Sequence, residues 1–216
     1  MKSLIIGGSG MIGSHLTNAC KSQGYETIST YFEKMPSSDH QFFLDITDRE
    51  KTIQLISEQN PDAVFLASAL TSVDLCEKNF EIAKSTNVTG TQNVIDGCKK
   101  TNSKLVYFST SAVFDGKKIK YSESDETCPV NNYGITKVLS EQLIKNSKLP
   151  FLIIRTDQPY GWTEKWQRTN SVLRIIDNLK NNNVFNEITD WYNNPTYIPD
   201  MIISIMELIK QNSSGI

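Results

Sequence analysis

The chain has 216 residues, 38% of them apolar, and a formal net charge of −2 at neutral pH. That length buries one good core with a small appended lobe, not two full domains. Without a basic run it offers no electrostatic footprint to nucleic acid or an acidic membrane surface, so its function is expected in a pocket.

Cys20, Cys76, Cys98 and Cys128 lie far apart, form no Cys-x-x-Cys pair and have only His15 and His40 as helpers, so no metal site is expected. Scattered cysteines in such a chain read as reduced, half-buried small hydrophobes of a cytoplasmic protein. No segment reaches the roughly 20 apolar residues of a membrane span. The run Leu4-Ile5-Ile6 is too short for a signal-peptide core.

In chain order, short apolar or β-branched runs predict strands at Ser3 to Ile6, Thr27 to Tyr31, Ala63 to Ala67, Leu105 to Ser109 and Phe151 to Ile154. Helical segments alternate with them: Ile12 to Gln23, then one opened by a capping box at Thr47-Asp48-Arg49-Glu50, then about Val88 to Lys100 and Tyr133 to Asn146. This alternation implies an α/β fold, a doubly wound parallel sheet with helices on both faces. Beyond Thr156 the rhythm changes: Gln158-Pro159, two Trp and an Asn-rich stretch from Asn178 to Asn194, expected as loops, precede an amphipathic run from Met201 to Leu208. The expected boundary lies near Asp157, separating residues 1–156 from a small lobe of 157–216.

Gly7-Gly8-Ser9-Gly10-Met11-Ile12-Gly13 follows a strand directly and opens a helix. Glycines there permit a tight turn and let the backbone approach a pyrophosphate, whose charge rests on free N–H groups at the helix start. The segment reads as a Rossmann-type loop for NADP or NAD. An acid for the adenosine ribose is expected about 20 residues on, at the second strand's tip. Tyr31 holds that place, Glu33 lies slightly beyond, and Lys34 beside it suits a 2′-phosphate. The phosphate state stays open, with a lean to NADP.

Tyr133 and Lys137 stand one helical turn apart on one face. Such pairs also occur on ordinary helix surfaces; position distinguishes this one. It follows a strand ending in Ser109-Thr110-Ser111, whose hydroxyls reach the carboxyl edge of the sheet, where open parallel sheets bind ligands. A nearby cation lowers a phenol's pKa, so Lys137 is expected to prepare Tyr133 to exchange a proton with a substrate oxygen that Thr110 also bonds. Hydride chemistry would belong to the cofactor.

In order, the residues resemble the extended short-chain dehydrogenase/reductases, and among them the dTDP-4-dehydrorhamnose reductases. The resemblance runs through the glycine loop, Leu44-Asp45-Ile46-Thr47-Asp48, Ala67-Ser68-Ala69, Thr71-Ser72-Val73-Asp74, Asn87-Val88-Thr89-Gly90-Thr91, Val106 to Gly116, Tyr133-Gly134, Lys137, Arg155-Thr156 and Asn194-Pro195-Thr196-Tyr197. It implies that Gly7, Ser9, Gly10, Met11, Ile12 and Gly13 hold the pyrophosphate, and that Tyr31, Asp45 and Ile46 lie at the adenosine end. Ala67, Ser68 and Ala69 would wall the cofactor, with Tyr133 and Lys137 at its nicotinamide ribose.

The function implied is NAD(P)-dependent reduction of a 4-keto nucleotide sugar, in a homodimer paired through helices of about Phe80 to Lys100 and Tyr133 to Asn146. The alternatives are an epimerase or dehydratase of the same superfamily, or a catalytically idle regulatory subunit, since the regulatory beta subunit of methionine adenosyltransferase resembles the same reductases. Ser111-Ala112 replaces the Asp-Tyr that follows the reductases' threonine, so contacts to the sugar are expected to be missing. Trp191 stands where a Gln is common. The chain stops at Ile216, where relatives continue, so its substrate lobe is expected to be incomplete and its sugar binding weak.

Overall fold

Strands with no polar face must be covered on both sides, and β1 (Lys2–Ile6), β4 (Ala63–Leu66) and β5 (Lys104–Thr110) are buried along nearly their whole length. The computed structural model, which describes residues 1–33, 41–190 and 192–216, places them at the centre of a six-stranded sheet. With β2 (Glu26–Tyr31), β3 (Gln41–Phe43) and β6 (Phe151–Thr156), the order is β3-β2-β1-β4-β5-β6, all parallel. Strand order reverses between β1 and β4, and ligands of doubly wound sheets bind at the carboxyl ends beside such a switch.

Each face has its own core. On one, α2 (Arg49–Gln59), α5 (Gly90–Thr101) and α6 (Asn132–Asn146) pack Ile56, Val94, Ile95 and Ile144 against Leu4, Val64, Leu105 and Ile153. On the other, α1 (Met11–Ser22) and α8 (Ile198–Lys210) cover Ile5, Phe65, Val106 and Leu152. The connections between β4 and α5 carry α3 (Val73–Lys78), α4 (Phe80–Lys84) and a π-helical turn at Ser85–Thr89. The remaining helix, α7 (Ser171–Lys180), buries no side chain fully.

The boundary expected near Asp157 does not divide the core. Ile198, Met201, Ile202, Ile205, Met206 and Ile209 of α8 all sit in the cluster under the sheet. At roughly 1.5–3 kcal/mol for each large apolar side chain fully buried, they make α8 part of the Rossmann unit. Gly215 also joins the sheet's edge, accepting from Ile153 N at 2.8 Å and donating to Phe151 O at 3.0 Å.

The five expected strands and the main helices form, with ends shifted by a few residues. The helix over Thr47 begins instead at Arg49, capped by Asp48, which accepts from Lys51 N at 3.1 Å. Thr47 is drawn away because its N–H and hydroxyl both donate to the Asp45 carboxylate, at 2.9 and 2.7 Å. The Asn-rich stretch is not all loop: Asn178 ends up inside α7, and Asn181 folds back on Asp177 O at 2.9 Å. Lys34, His40 and Trp191 lie outside the described residues. Among the described residues no helix is long and apolar enough to cross a membrane.

Candidate functional site

The glycine loop leaves β1 with Gly7 at φ +88°, a conformation that favours glycine. Gly10 N then donates to Gly7 O at 3.0 Å and closes the turn. A Cβ on Gly13 would collide with that same carbonyl, so only glycine lets α1 begin this close to the strand. Gly10 caps α1 without any side-chain bond. The N–H groups of Met11, Ile12 and Gly13 therefore have no intrahelical acceptor and lie at the positive end of the helix dipole, a ready anion site. Behind the loop, Gln167 donates from Nε2 to Ser9 O at 3.1 Å, Gly10 O at 3.2 Å and Ser14 Oγ at 2.9 Å.

Ala67 N donates to Ile6 O at 2.9 Å, which brings the Ala67-Ser68-Ala69 segment beside the loop. Ser68 then lines a cavity of about 240 Å³ with Phe32, Leu44, Asp45, Ile46, Thr47, Ile82, Ser85 and Thr86. Asp45 and Ile46, expected at adenine, are thus in one wall of one cavity. Tyr31 is at the tip of β2, its ring edge-on to Phe43 at 5.9 Å, and Phe32 stacks on Phe43. Phe32, Ile82, Ser85 and Thr86 were not legible as site residues. A π-helical turn such as Ser85–Thr89 often marks a functional site, but no side-chain pattern announces it.

At the other end of the edge, Asn131 caps α6 by accepting from Gly134 N at 2.7 Å. A side chain on Gly134 would collide with Ala112 O, so glycine allows α6 to abut the turn that follows Thr110. Tyr133 comes to lie beside Thr110 as a result. Asn87, 2% exposed, pins this helix to the loop after β4: it donates to Leu70 O and Thr136 Oγ1, both at 3.0 Å, and accepts from Leu70 N at 2.8 Å. The sequence contains Asn87 within a family-like stretch but says nothing of that bridging role.

Lys137 departs from expectation. It is 3% exposed, donates from Nζ to Phe108 O at 2.5 Å and lies 4.1 Å from the centre of the Tyr107 ring. Burial pulls its ammonium down to about 7, opposed by the charge of Glu141. Burial likewise pushes the Tyr133 phenol up to about 12, with the neighbouring Thr110 hydroxyl acting the other way. The structure does not show the expected lowering of the phenol by the cation: desolvation dominates both groups, and the ammonium is spent on a backbone carbonyl.

Ser111 brings a second difference. Its hydroxyl donates to Asp157 Oδ1 at 2.9 Å, while Asp157 Oδ2 accepts from Asn194 N at 2.8 Å. A carboxylate is therefore held on the hydroxyl of Ser111, the residue after Thr110, and is supplied from just beyond β6.

A model of the family described as the RmlD substrate binding domain matches residues 1–215. The chain belongs to this family. It is 30% identical to a dTDP-4-dehydrorhamnose reductase of Aggregatibacter actinomycetemcomitans over 96% of this chain and 67% of that one. It is 32% identical to the Haloferax volcanii protein named "Probable low-salt glycan biosynthesis reductase Agl14" over 74% of this chain and 54% of that one. The chain thus spans about half to two thirds of the length of these curated relatives. The fold matches the structure of dTDP-4-dehydrorhamnose reductase from Bacillus anthracis in complex with NADP, with a TM-score of 0.85, 29% identity, and 99% of this chain and 72% of that one covered.

Proposed function

We propose that this RmlD-family chain binds NADP or NAD along the carboxyl edge of its sheet and reduces the 4-keto group of a nucleotide sugar, of the kind a dTDP-4-dehydrorhamnose reductase uses. The observation that carries the reading is the approach of Tyr133 to Thr110 at that edge, with Lys137 one turn further along the same helix face. The residues present fit such a cofactor: an uncapped helix start suits a pyrophosphate, and the cavity beside Asp45 and Ile46 suits the adenosine.

When bound, the cofactor supplies the hydride. The protein's own groups do the rest. Thr110 bonds the substrate's carbonyl oxygen, and Tyr133 delivers a proton to it as negative charge develops. For this the phenol must fall from about 12 toward neutrality, which requires the Lys137 ammonium to be charged and turned to the tyrosine side of the Phe108 carbonyl. Gly7, Ser9, Gly10, Met11, Ile12 and Gly13 hold the pyrophosphate; Tyr31, Asp45 and Ile46 serve the adenosine end; Ala67, Ser68 and Ala69 line the way between.

Residues 157–197 contribute to the sugar side, with Asp157 as a polar contact. A homodimer through α4, α5 and α6 completes the reading. The four cysteines are unpaired, three of them buried, which suits a reducing cytoplasm.

The test is oxidation of NADPH by the protein in the presence of a dTDP-4-keto-6-deoxy sugar, with cofactor affinity measured separately by calorimetry. Stoichiometric oxidation supports the reductase. Turnover without net oxidation would mark an epimerase, and cofactor binding with no turnover would leave a regulatory role.

A further inference from the structure

A buried ion pair stands behind the tyrosine and lysine. Glu141 is 1% exposed and lies on α6 one turn beyond Lys137 and two beyond Tyr133, on the same face. Its carboxylate accepts from Arg155 twice, Nε at 3.0 Å and Nη2 at 2.7 Å, and from the Ser109 hydroxyl at 2.6 Å. Ser109 immediately precedes Thr110, and Ser109 and Arg155 are register partners across β5 and β6. One carboxylate therefore ties the helix bearing Tyr133 and Lys137 to the two strands that end in Thr110 and Thr156. Arg155 carries the tie outward, lying 5.0 Å over the Phe114 ring and donating to Glu123 O at 3.3 Å.

Stability is a poor explanation for such a pair. Desolvating both ions offsets their attraction, and apolar replacements often serve as well. We propose that Glu141 is a positioning residue for the reductase reading given above: held by Arg155 and Ser109, it sets the reach between Tyr133 on α6 and Thr110 on β5 and keeps a negative charge beside the Lys137 ammonium.

The groups facing Lys137 make the charge role specific. Strand β5 presents the Tyr107 ring and the Phe108 carbonyl, neither of them an anion. From its own helix comes Glu141, whose carboxylate also engages the charge of Arg155 on β6. Lys145 approaches the Glu141 carboxylate at 3.7 Å from the solvent side, and Cys76 of α3 lies by Tyr133. Glu141 is thus the carboxylate that favours the charged lysine, and removing it leaves the desolvation of Lys137 unopposed.

The experiment compares wild-type protein with Glu141→Gln and Arg155→Lys. Glu141→Gln is expected to lower kcat about tenfold or more and to move the alkaline limb of kcat/KM to lower pH by about one unit, while the Kd for NADPH stays within about twofold. Arg155→Lys keeps the anion, so it should lower kcat and leave that limb in place. A purely structural role would change rates without moving the limb in either variant and would overturn the proposal.

Titration of the Lys137 side chain by NMR in the cofactor-free protein gives a readout independent of turnover. A lower lysine pKa in Glu141→Gln, with an inactive wild type, would count against the reductase reading alone. An unchanged lysine pKa would overturn the charge role whether or not the protein turns over. If Glu141→Gln does not fold, the double variant Glu141→Leu/Arg155→Met carries the same titration.

Discussion

The Lys137 ammonium donates to the Phe108 carbonyl at 2.5 Å, beneath the Tyr107 ring, within the same helix turn that presents Tyr133 to Thr110. Of the two groups whose chemistry must cooperate, Lys137 is buried and Tyr133 half-buried, and each is driven toward its neutral form.

The buried lysine has a signature in stability. Lys137 titrates at about 7 in the folded protein and near 10.4 in an unfolded chain. Between those values the unfolded chain holds a proton that the folded one lacks, so unfolding takes up a proton and becomes harder as pH rises. The useful window runs from 7 to about 8.5, below the ionisation of unfolded cysteine thiols. Across it, the denaturation midpoint of cofactor-free wild type should climb with pH more steeply than that of Lys137→Met. Equal slopes would remove the buried, depressed lysine from the account.

The glycine loop makes a packing prediction. Alanine at Gly13 would drive its methyl into Gly7 O, a backbone atom that cannot step aside. Gly13→Ala should cost on the order of 1–3 kcal/mol of stability, as overpacking does. It should also weaken NADPH binding by more than it weakens folding, because α1 must retreat from the pyrophosphate site. Chemical denaturation and calorimetry on the same sample check both effects; unchanged nucleotide affinity would move the cofactor away from this loop.

Asp157 should act on the sugar and not on the cofactor. Its carboxylate, bonded by Ser111 and by Asn194 N, sits beside the end of β5. A hydrogen bond to a charged group contributes about 1.5–3 kcal/mol, so Asp157→Ala should raise the sugar KM by roughly 10- to 100-fold with the NADPH Kd unchanged. Steady-state kinetics with each substrate varied in turn decides it; an effect confined to the cofactor would contradict the assignment.

The choice between cofactors is open to the same calorimetry. Tyr31 occupies the place of the ribose acid at the tip of β2, so NADPH should bind at least as tightly as NADH. Clear preference for NADH would show that another group recognises the ribose.

Much of this arrangement was legible in the sequence where local chemistry and position coincide. The apolar run Leu4-Ile5-Ile6 ending in glycine located a strand, the turn after it and a helix start without a side-chain cap, because all three are local features. The Tyr133–Lys137 spacing gave the shared helix face but not the burial that reverses the expected pKa effect, since burial is set by β5 packing across the sheet. Contacts distant in sequence stayed hidden: Ser111 with Asp157, Glu141 with Arg155, and Asn87 with Thr136 each join residues that no period or motif connects. The same holds for α8, whose amphipathic run was visible but whose partner, the underside of the sheet, was not.

In the proposed reduction, Tyr133 delivers the proton to a keto-sugar oxygen beside Thr110. The most direct measurement is single-turnover oxidation of NADPH with a dTDP-4-keto-6-deoxy sugar by wild type and by Tyr133→Phe, with cofactor affinity measured in parallel. Removing only the hydroxyl should slow turnover by about 10²- to 10⁴-fold, the usual contribution of a general acid, and leave the NADPH Kd nearly unchanged. A Tyr133→Phe protein that turns over at the wild-type rate would contradict the account.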